Sequence, residues 1–434
     1  MNRVAVNQLI EWKNSIKRKP LLVFGARQVG KTWLIRHFGD SYFENFLYVN
    51  FEKEISLRTI FEQDYQPKRI LQVLEAFYDK EIVIGKTLLV FDEIQEAKGA
   101  LTALKYFNEE VNELHIIGAG SLLGIAVKAQ TSFPVGQVNF LRLYPMSFHE
   151  FLQATGNEKL AQLIIQNEWQ LLQNLKTKTI ELLRQYYFVG GMPEAVQTFV
   201  ETKNFAKVRE IQEAILMAYD NDFSKHASSE IIPRIRMVWN SIVGQLAKEN
   251  KKFIFGQIRE GARAKDFEMA LNWLEDYGLI YRVQRTAKAN LPLSAYADLN
   301  VFKVYTHDVG LLAAMGAVSP KTLIAGDQLF MEFKGAITEQ YVVQELKSQA
   351  VKNLFYWAND SGGAEVDFIL ENEQQIIPLE VKASENLQAK SLKTFHNKHP
   401  EITCFRTSLS DYREESWMIN LPLYGVAKLV KKVK

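Results

Sequence analysis

The sequence predicts an α/β protein whose first domain contains a parallel sheet and whose later domains are helical and mixed α/β. Three apolar runs predict buried strands of that sheet, at residues 21–24, 46–51 and 87–91. Each run passes into glycine-rich or polar sequence where a strand would leave the core, and segments with helical spacing lie between the runs. Strands that alternate with helices are typical of a parallel sheet covered on both faces.

The composition describes an ordinary globular protein that is long enough for several domains. Of the 434 residues, 47% are hydrophobic and 24% are charged, and the formal net charge is +2. This charge is too small to indicate nucleic-acid or membrane binding by itself. Cys404 is the only cysteine, which excludes an intramolecular disulfide. Neither a signal-peptide pattern nor an apolar stretch of ~20 residues is present, so we expect a cytoplasmic protein without a membrane partner.

A glycine-rich loop follows the first apolar run and precedes a helical pattern, which is the context of a phosphate-binding loop. Backbone N–H groups of such a loop surround a phosphate, and the helix N-terminus adds partial positive charge. Lys31 is predicted to reach the β- and γ-phosphates, and the Thr32 hydroxyl to bind Mg²⁺. The predicted nucleotide-binding residues are Gly25, Ala26, Arg27, Gln28, Val29, Gly30, Lys31 and Thr32.

Polar residues end two further predicted strands at the edge where ligands bind in open α/β sheets. Asp92 is predicted to serve Mg²⁺, and Glu93 to orient or deprotonate the attacking water. Lys31, Asp92 and Glu93 are therefore the predicted catalytic residues. Ser121 ends the next strand, where two roles remain open: contact with the γ-phosphate or the water, and the N-cap of a helix beginning at Leu122.

With these motifs in place, nearly the whole chain resembles a prokaryotic AAA+-superfamily P-loop ATPase of a group with a conserved-unknown C-terminal region. The resemblance implies that ATP and Mg²⁺ bind at the loop, that Ser121 is the polar sensor, and that the chain assembles into homo-oligomers. The family often has Gly-Arg where this chain has Gly136-Gln137, and Arg142 lies in a different register. The segments that carry the resemblance are 25–32, 91–95, 120–121, 143–148, 189–194 and 304–312.

Two regions follow the ATPase core, which is predicted to span residues 1–150. Residues 151–225 have long apolar stripes at helical spacing and are predicted to form a helical lid. Residues 226–318 read as a winged-helix-like domain with a small excess of basic side chains. That excess is compatible both with DNA contact and with a purely structural role.

The last region, residues 319–434, contains a second group of candidate site residues. Alternation places Glu380 and Lys382 on one face of a strand, and a hairpin would bring Asp367 beside them. The pattern resembles the PD-(D/E)xK nuclease core, with Glu339 as its helical acid. Two carboxylates and a lysine suit Mg²⁺-dependent cleavage, but the same residues also suit a buried ion-pair cluster in a nuclease-like fold that does not cut.

Together these patterns predict an ATP-binding and ATP-hydrolysing protein whose nucleotide state controls its C-terminal module. Two alternatives remain at this stage. One is an ATP-gated, Mg²⁺-dependent DNA nuclease, and the other is a regulatory switch that binds DNA or a protein partner without cutting.

Overall fold

The computed structural model describes residues 3–121, 123–124, 134, 136–248, 251–325, 331–359, 362–372, 375–385 and 388–430. These residues group into two compact units. The N-terminal unit contains the chain up to Tyr144 together with Asp276–Gly278. The C-terminal unit contains Pro145–Glu275 and the chain from Leu279 onward.

A five-stranded sheet forms the centre of the N-terminal unit, in the order β2-β3-β4-β1-β5. Every neighbouring pair in it is parallel, which confirms the predicted parallel core and matches a P-loop NTPase fold. Strand β3 is buried along its whole length, as expected for an apolar run covered on both faces. The strands are β1 (Leu21–Phe24), β2 (Asn45–Asn50), β3 (Thr87–Asp92), β4 (His115–Gly120) and β5 (Asn139–Arg142).

Helices cover this sheet and bury its apolar side chains. Leu89 and Phe91 of β3 pack in one core cluster with Leu74 of α3 and Leu104 of α4. The described part of this unit also contains two short 3₁₀ helices, at Ile55–Phe61 and Ile94–Glu96. The α-helices are α1 (Ala5–Asn14), α2 (Lys31–Tyr42), α3 (Pro67–Tyr78) and α4 (Ala100–Glu110).

The C-terminal unit begins with the helices of the predicted lid. Ser147 caps the first of them with a complete capping box, in which Glu150 is the reciprocal acceptor. Helix α8 ends at Gly190, whose φ of +74° favours glycine. A Cβ at Gly190 would lie 2.2 Å from the Asp308 side chain. The helices are α5 (Phe148–Ala154), α6 (Glu158–Gln166), α7 (Trp169–Asn174), α8 (Lys176–Val189), α9 (Pro193–Thr202) and α10 (Phe205–His226).

Six more α-helices lie among the described residues of the predicted winged-helix-like and C-terminal regions. The 3₁₀ segments described there are Phe255–Gln257, Leu293–Tyr296 and Leu423–Leu429. The α-helices are α11 (Ile232–Leu246), α12 (Ala264–Tyr277), α13 (Val309–Met315), α14 (Pro320–Ala325), α15 (Met331–Ser348) and α16 (Lys390–Lys398).

An eight-stranded mixed sheet forms the centre of the C-terminal unit, in the order β12-β13-β11-β10-β9-β8-β6-β7. This sheet contains strands from both the predicted third and the predicted fourth domain. Strand β6 of the third pairs in parallel with β8 of the fourth. The four-domain division of the chain stays a prediction. The strands are β6 (Ile280–Thr286), β7 (Ala297–Thr306), β8 (Phe355–Ala358), β9 (Glu365–Glu371), β10 (Ile376–Val381), β11 (Cys404–Ser408), β12 (Arg413–Glu414) and β13 (Met418–Pro422).

Candidate nucleotide site and C-terminal acid cluster

The predicted phosphate-binding loop connects β1 directly to α2. Gly30 stands at the helix N-cap with a φ of +93°, a left-handed conformation that costs glycine little. The Lys31 side chain is only 8% exposed, and its Nζ donates to the carbonyl oxygens of Gly25 and Ala26, each at 2.9 Å. The ammonium group is thus held by the loop that it is predicted to serve.

Electrostatics link Lys31 to the two acids at the end of β3. Burial lowers the pKa of Lys31 to about 8, while the charges of Glu93 and Asp92 act in the opposite direction. A buried ammonium with nearby carboxylates is a candidate for recognising a more highly charged anion such as a triphosphate. Lys31, Asp92 and Glu93 therefore belong to one site within the N-terminal unit.

Asp92 lies at the carboxyl end of β3, in register with Asn50 of β2 and Ala119 of β4. Its Oδ2 accepts hydrogen bonds from the Tyr48 hydroxyl and, at 3.3 Å, from Asn50 Nδ2. Burial raises the pKa of Asp92, and the hydrogen bond from Tyr48 opposes that rise. The two β2 side chains hold the carboxylate and favour its charged form.

Glu93 follows in a left-handed conformation with a φ of +49°. Its Oε2 accepts from Gln95 Nε2 at 2.5 Å, and its Oε1 accepts from Ser121 Oγ at 3.4 Å. Ser121 therefore contacts the predicted water-orienting acid. Its alternative role as the N-cap of a helix at Leu122 lies outside the described residues.

The donor set at this edge fits Mg²⁺, which prefers hydroxyl, carboxylate and water oxygens. The Thr32 side chain is exposed at the start of α2, and it interacts with the Tyr48 hydroxyl that also contacts Asp92. Thr32 and Asp92 thus belong to one local network, and they are the residues that would hold the ion.

The remaining loop and arginine predictions can also be located. Val29 is buried, and its carbonyl accepts from Arg3 Nη1 at 2.9 Å. Gln28 adopts a positive φ of 67° within the loop, next to Arg27. Arg142 ends β5 in register with Phe24, the last residue of β1, and its guanidinium lies 5.5 Å from the centre of the Tyr144 ring.

Several side chains of this site were missed by the sequence reasoning. Tyr48 and Asn50 are two positions apart in β2, so they lie on the same face of the strand. Polar side chains on one face of an apolar strand were an available signal. Gln95 lies within the 91–95 segment that carries the family resemblance, but the sequence pattern assigns no role to it. Arg3 gave no signal, because its contacts with Val29 and with the Tyr144 carbonyl are long-range.

In the C-terminal unit, the hairpin of β9 and β10 brings the predicted nuclease-like residues together. The two strands are antiparallel, and Asp367 Oδ2 accepts from the Val381 backbone N–H at 2.7 Å. Lys382 Nζ lies 2.6 Å from Glu380 Oε1. Burial raises the pKa of Asp367 well above its ordinary value, and the charges of Glu339 and Glu380 add to the rise. All four predicted residues thus interact within one cluster.

Two lysines that the sequence reasoning missed join these acids. Lys251 donates to Glu339 Oε1, and the Tyr305 hydroxyl donates to Glu339 Oε2 at 2.7 Å. Lys303 is only 1% exposed, and its Nζ lies 2.5 Å from Glu365 Oε1. Among the described residues, no group of three or more His, Cys, Asp or Glu side chains is placed to hold a metal ion. A charged residue inside an apolar strand was the available signal for Lys303.

Comparison with known proteins divides the chain into three matched regions. Residues 17–152 match the AAA domain family. This match covers the phosphate loop, Asp92, Glu93 and Ser121, and it supports ATP binding by residues 17–152. Residues 180–322 match a domain of unknown function, DUF8612, and residues 334–424 match another, DUF4143. The nuclease resemblance of the C-terminal region therefore stays a prediction.

Individual relatives are distant. Uncharacterized protein MJ1637 of Methanocaldococcus jannaschii is 24% identical over 234 residues, which cover 48% of this chain and 47% of that protein. The chain therefore spans about half the length of this curated relative.

Two solved structures are similar to larger parts of the chain. The Walker-type ATPase PABY2304 of Pyrococcus abyssi covers 73% of this chain and 95% of its own, at 14% identity and a TM-score of 0.46. Cdc6p of Pyrobaculum aerophilum covers 74% and 93%, at 12% identity and a TM-score of 0.26.

None of the helices in the described part of the chain is long and apolar enough to cross a membrane.

Proposed function

We propose that the protein hydrolyses ATP at the AAA domain and that the nucleotide state controls its C-terminal module. The single observation behind this proposal is the network in which Lys31 interacts with Asp92 and Glu93 at the carboxyl edge of the parallel sheet. A lysine for the phosphates, an acid for the metal and an acid for the water are what phosphoryl transfer to water requires.

Each residue of the network has a distinct role in this proposal. Lys31 and the loop N–H groups bind the phosphates and stabilise charge as the terminal phosphoryl group leaves. Thr32 and Asp92 would hold Mg²⁺, which would supply further neutralisation of the phosphate oxygens. Glu93 orients the attacking water and accepts its proton.

The side chains around Glu93 and Asp92 limit where these acids can move. Gln95 and Ser121 donate to opposite oxygens of Glu93, which orients the carboxylate. Tyr48 and Asn50 donate to Asp92 Oδ2. Preorganised donors of this kind lower the cost of reaching the reactive geometry.

Two substitutions test the proposal. Lys31→Ala removes the phosphate contact, and we expect ATP binding to be lost. Glu93→Gln keeps the side-chain shape but removes the base, so ATP should still bind while turnover falls about 10²-fold or more. Binding is measured with a fluorescent ATP analogue and turnover by phosphate release, with the exposed Lys86→Ala as the control. Undiminished turnover in Glu93→Gln would exclude the proposed role of Glu93.

For the C-terminal module we propose binding of a partner rather than cleavage. Its three ammonium groups, on Lys251, Lys303 and Lys382, already pair with carboxylates of the cluster, which leaves the acids less able to bind Mg²⁺. Gel-shift assays with DNA, with and without ATP, test whether nucleotide changes affinity. A nucleotide-dependent shift without cutting supports DNA as the partner, and the absence of any shift points to a protein. Mg²⁺-dependent cutting that Asp367→Ala abolishes would support the nuclease alternative instead.

A further inference from the structure

A partly buried cluster of charged side chains in the C-terminal unit combines acids from one matched region with lysines from another. The carboxylates all lie within residues 334–424, whereas Lys251 and Lys303 come from residues 180–322. We call this group the acid–lysine cluster. Its members are Glu339, Glu365, Asp367, Glu380, Lys251, Lys303 and Lys382.

Every ammonium group in the acid–lysine cluster has a carboxylate partner. Lys251 pairs with Glu339, Lys303 with Glu365, and Lys382 with Glu380. Burying an ammonium without a partner is costly, so a fully buried lysine depends on these acids as much as they depend on it. Lys303 is therefore an integral part of the site.

The lysines already neutralise most of the carboxylate charge of the cluster. Glu339, Glu365 and Glu380 each pair with a lysine, so among the described ion pairs only the Asp367 carboxylate has no lysine partner. A divalent cation would therefore add two positive charges where the ion pairs leave at most one negative charge.

Glu380 contributes a buried oxygen that is not used in an ion pair. Glu380 is 5% exposed, and its Oε1 pairs with Lys382, while its Oε2 accepts no hydrogen bond from the residues that the structure describes. An unused carboxylate oxygen inside a polar cluster is a ready ligand for a cation. The cluster thus contains an oxygen that could bind a cation, but its lysines already neutralise the carboxylate charge that a cation would otherwise neutralise.

We propose that Lys251 and Lys303 occupy the electrostatic role of a divalent cation in the acid–lysine cluster, so that the cluster binds such an ion only when a lysine is removed. This proposal rests on the proposed non-cleaving role of the C-terminal module. It is tested by cation binding rather than by ATP turnover, so the two can fail separately.

Lys251 is the more solvent-accessible of these two lysines. The Lys251 side chain is 13% exposed, whereas that of Lys303 is 1% exposed. Losing Lys251 would leave Glu339 Oε1 without its ammonium partner in a cluster that also contains the unused oxygen of Glu380. Lys251→Met is therefore the variant expected to open the site with the least damage to the fold.

The experiment measures Mn²⁺ binding to the full-length, nucleotide-free chain, with the free ion followed by electron paramagnetic resonance. Wild type, Lys251→Met and Lys303→Met are each compared with and without Asp367→Asn, which assigns binding to the cluster. The exposed Lys352→Met is the matched control in the same unit. Thermal unfolding establishes which variants are folded, and Lys251→Met alone decides the question if Lys303→Met is not.

We expect wild type and Lys352→Met to show no Mn²⁺ binding that depends on Asp367. Lys251→Met should bind Mn²⁺ at least about tenfold more tightly than wild type, and Asp367→Asn should abolish the gain. Asp367-dependent binding in wild type, or a folded Lys251→Met chain that gains none, would overturn the proposal.

Discussion

The Tyr48 hydroxyl donates a hydrogen bond to Asp92 Oδ2, so a tyrosine of β2 holds the acid predicted to serve the metal. Burial raises the pKa of the Tyr48 phenol to about 12, and its bond to Asp92 contributes to that rise. The Arg36 guanidinium lies 4.1 Å from the centre of the same ring. Tyr48 is therefore held on two sides, and we expect it to affect the proposed hydrolysis through Asp92.

We predict that Tyr48→Phe impairs the proposed hydrolysis without unfolding the N-terminal unit. The substitution keeps the ring beneath Arg36 but removes the donor, at a cost of about 1 kcal/mol or about fivefold in kcat. The hydrogen bond from Tyr48 lowers the pKa of Asp92, so its loss raises that pKa further. The acidic limb of the pH–rate profile should shift to higher pH, and more Mg²⁺ should be needed for half-maximal turnover.

Tyr78→Phe is the matched control, because the buried Tyr78 hydroxyl lies in the same unit and has no hydrogen-bond partner in the part of the chain that the structure describes. It should leave the pH profile and the Mg²⁺ requirement unchanged. A purely structural role for Tyr48 would lower activity equally at every pH and every Mg²⁺ concentration, which would contradict the prediction.

Gln95 is predicted to position Glu93. Its amide donates to Glu93 Oε2 at 2.5 Å, so Gln95→Ala should release one side of the carboxylate. We expect kcat to fall about tenfold while KM for ATP changes less than about twofold, since the phosphate contacts remain. Steady-state kinetics with Gln173→Ala as an exposed control separate the two parameters. A rise in KM at constant kcat would assign Gln95 to nucleotide binding instead.

Arg3 is predicted to stabilise the phosphate loop. It is 7% exposed, and its guanidinium donates to the carbonyls of Val29 and Tyr144 at 2.9 and 2.7 Å. Arg3→Met should lower the free energy of unfolding of the N-terminal unit by about 2 kcal/mol, because buried carbonyls lose a charged donor. Urea unfolding is the measurement, and ATP affinity should fall with it. Lys17→Met, at an exposed position, should change neither quantity, and an unchanged Arg3→Met midpoint would refute the prediction.

The sequence was sufficient for features that depend on local pattern. Glycine placement and the apolar run before it predicted the phosphate loop, and the acids after β3 followed from the same strand logic. The hairpin of β9 and β10 was predictable because two apolar runs follow one another across a short turn. Strand alternation then places Glu380 and Lys382 on one face. Asp367 then lies beside them because antiparallel pairing is short-range in the chain.

Contacts between distant segments could not be predicted in this way. Lys251 and Glu339 are 88 residues apart, and no periodicity relates them. Arg3 and Tyr144 are 141 residues apart. Strand β6 joins β8 in one sheet, although the sequence pattern assigned them to different domains. Such pairings depend on how whole elements pack, and a single sequence does not display that information.

The last prediction concerns pH and Glu345, a buried acid of α15. Its Oε1 accepts from the Phe148 backbone N–H at 2.7 Å, but burial raises its pKa to about 8, and Glu150 adds to the rise. The folded state therefore holds this proton more tightly than the unfolded chain. The stability it contributes is present below the unfolded pKa of about 4.5 and is lost as pH rises through about 8.

Glu345→Gln keeps the acceptor for Phe148 but cannot ionise, so the variant should escape this loss. Its free energy of unfolding should gain on wild type by up to about 1.4 kcal/mol per pH unit between the two pKa values. Urea unfolding at pH 5, 6.5 and 8 measures the difference, with the exposed Glu158→Gln as the control. A difference that stays constant across this range, or that shrinks as pH rises, would show that Glu345 is ionised in the folded chain at neutral pH.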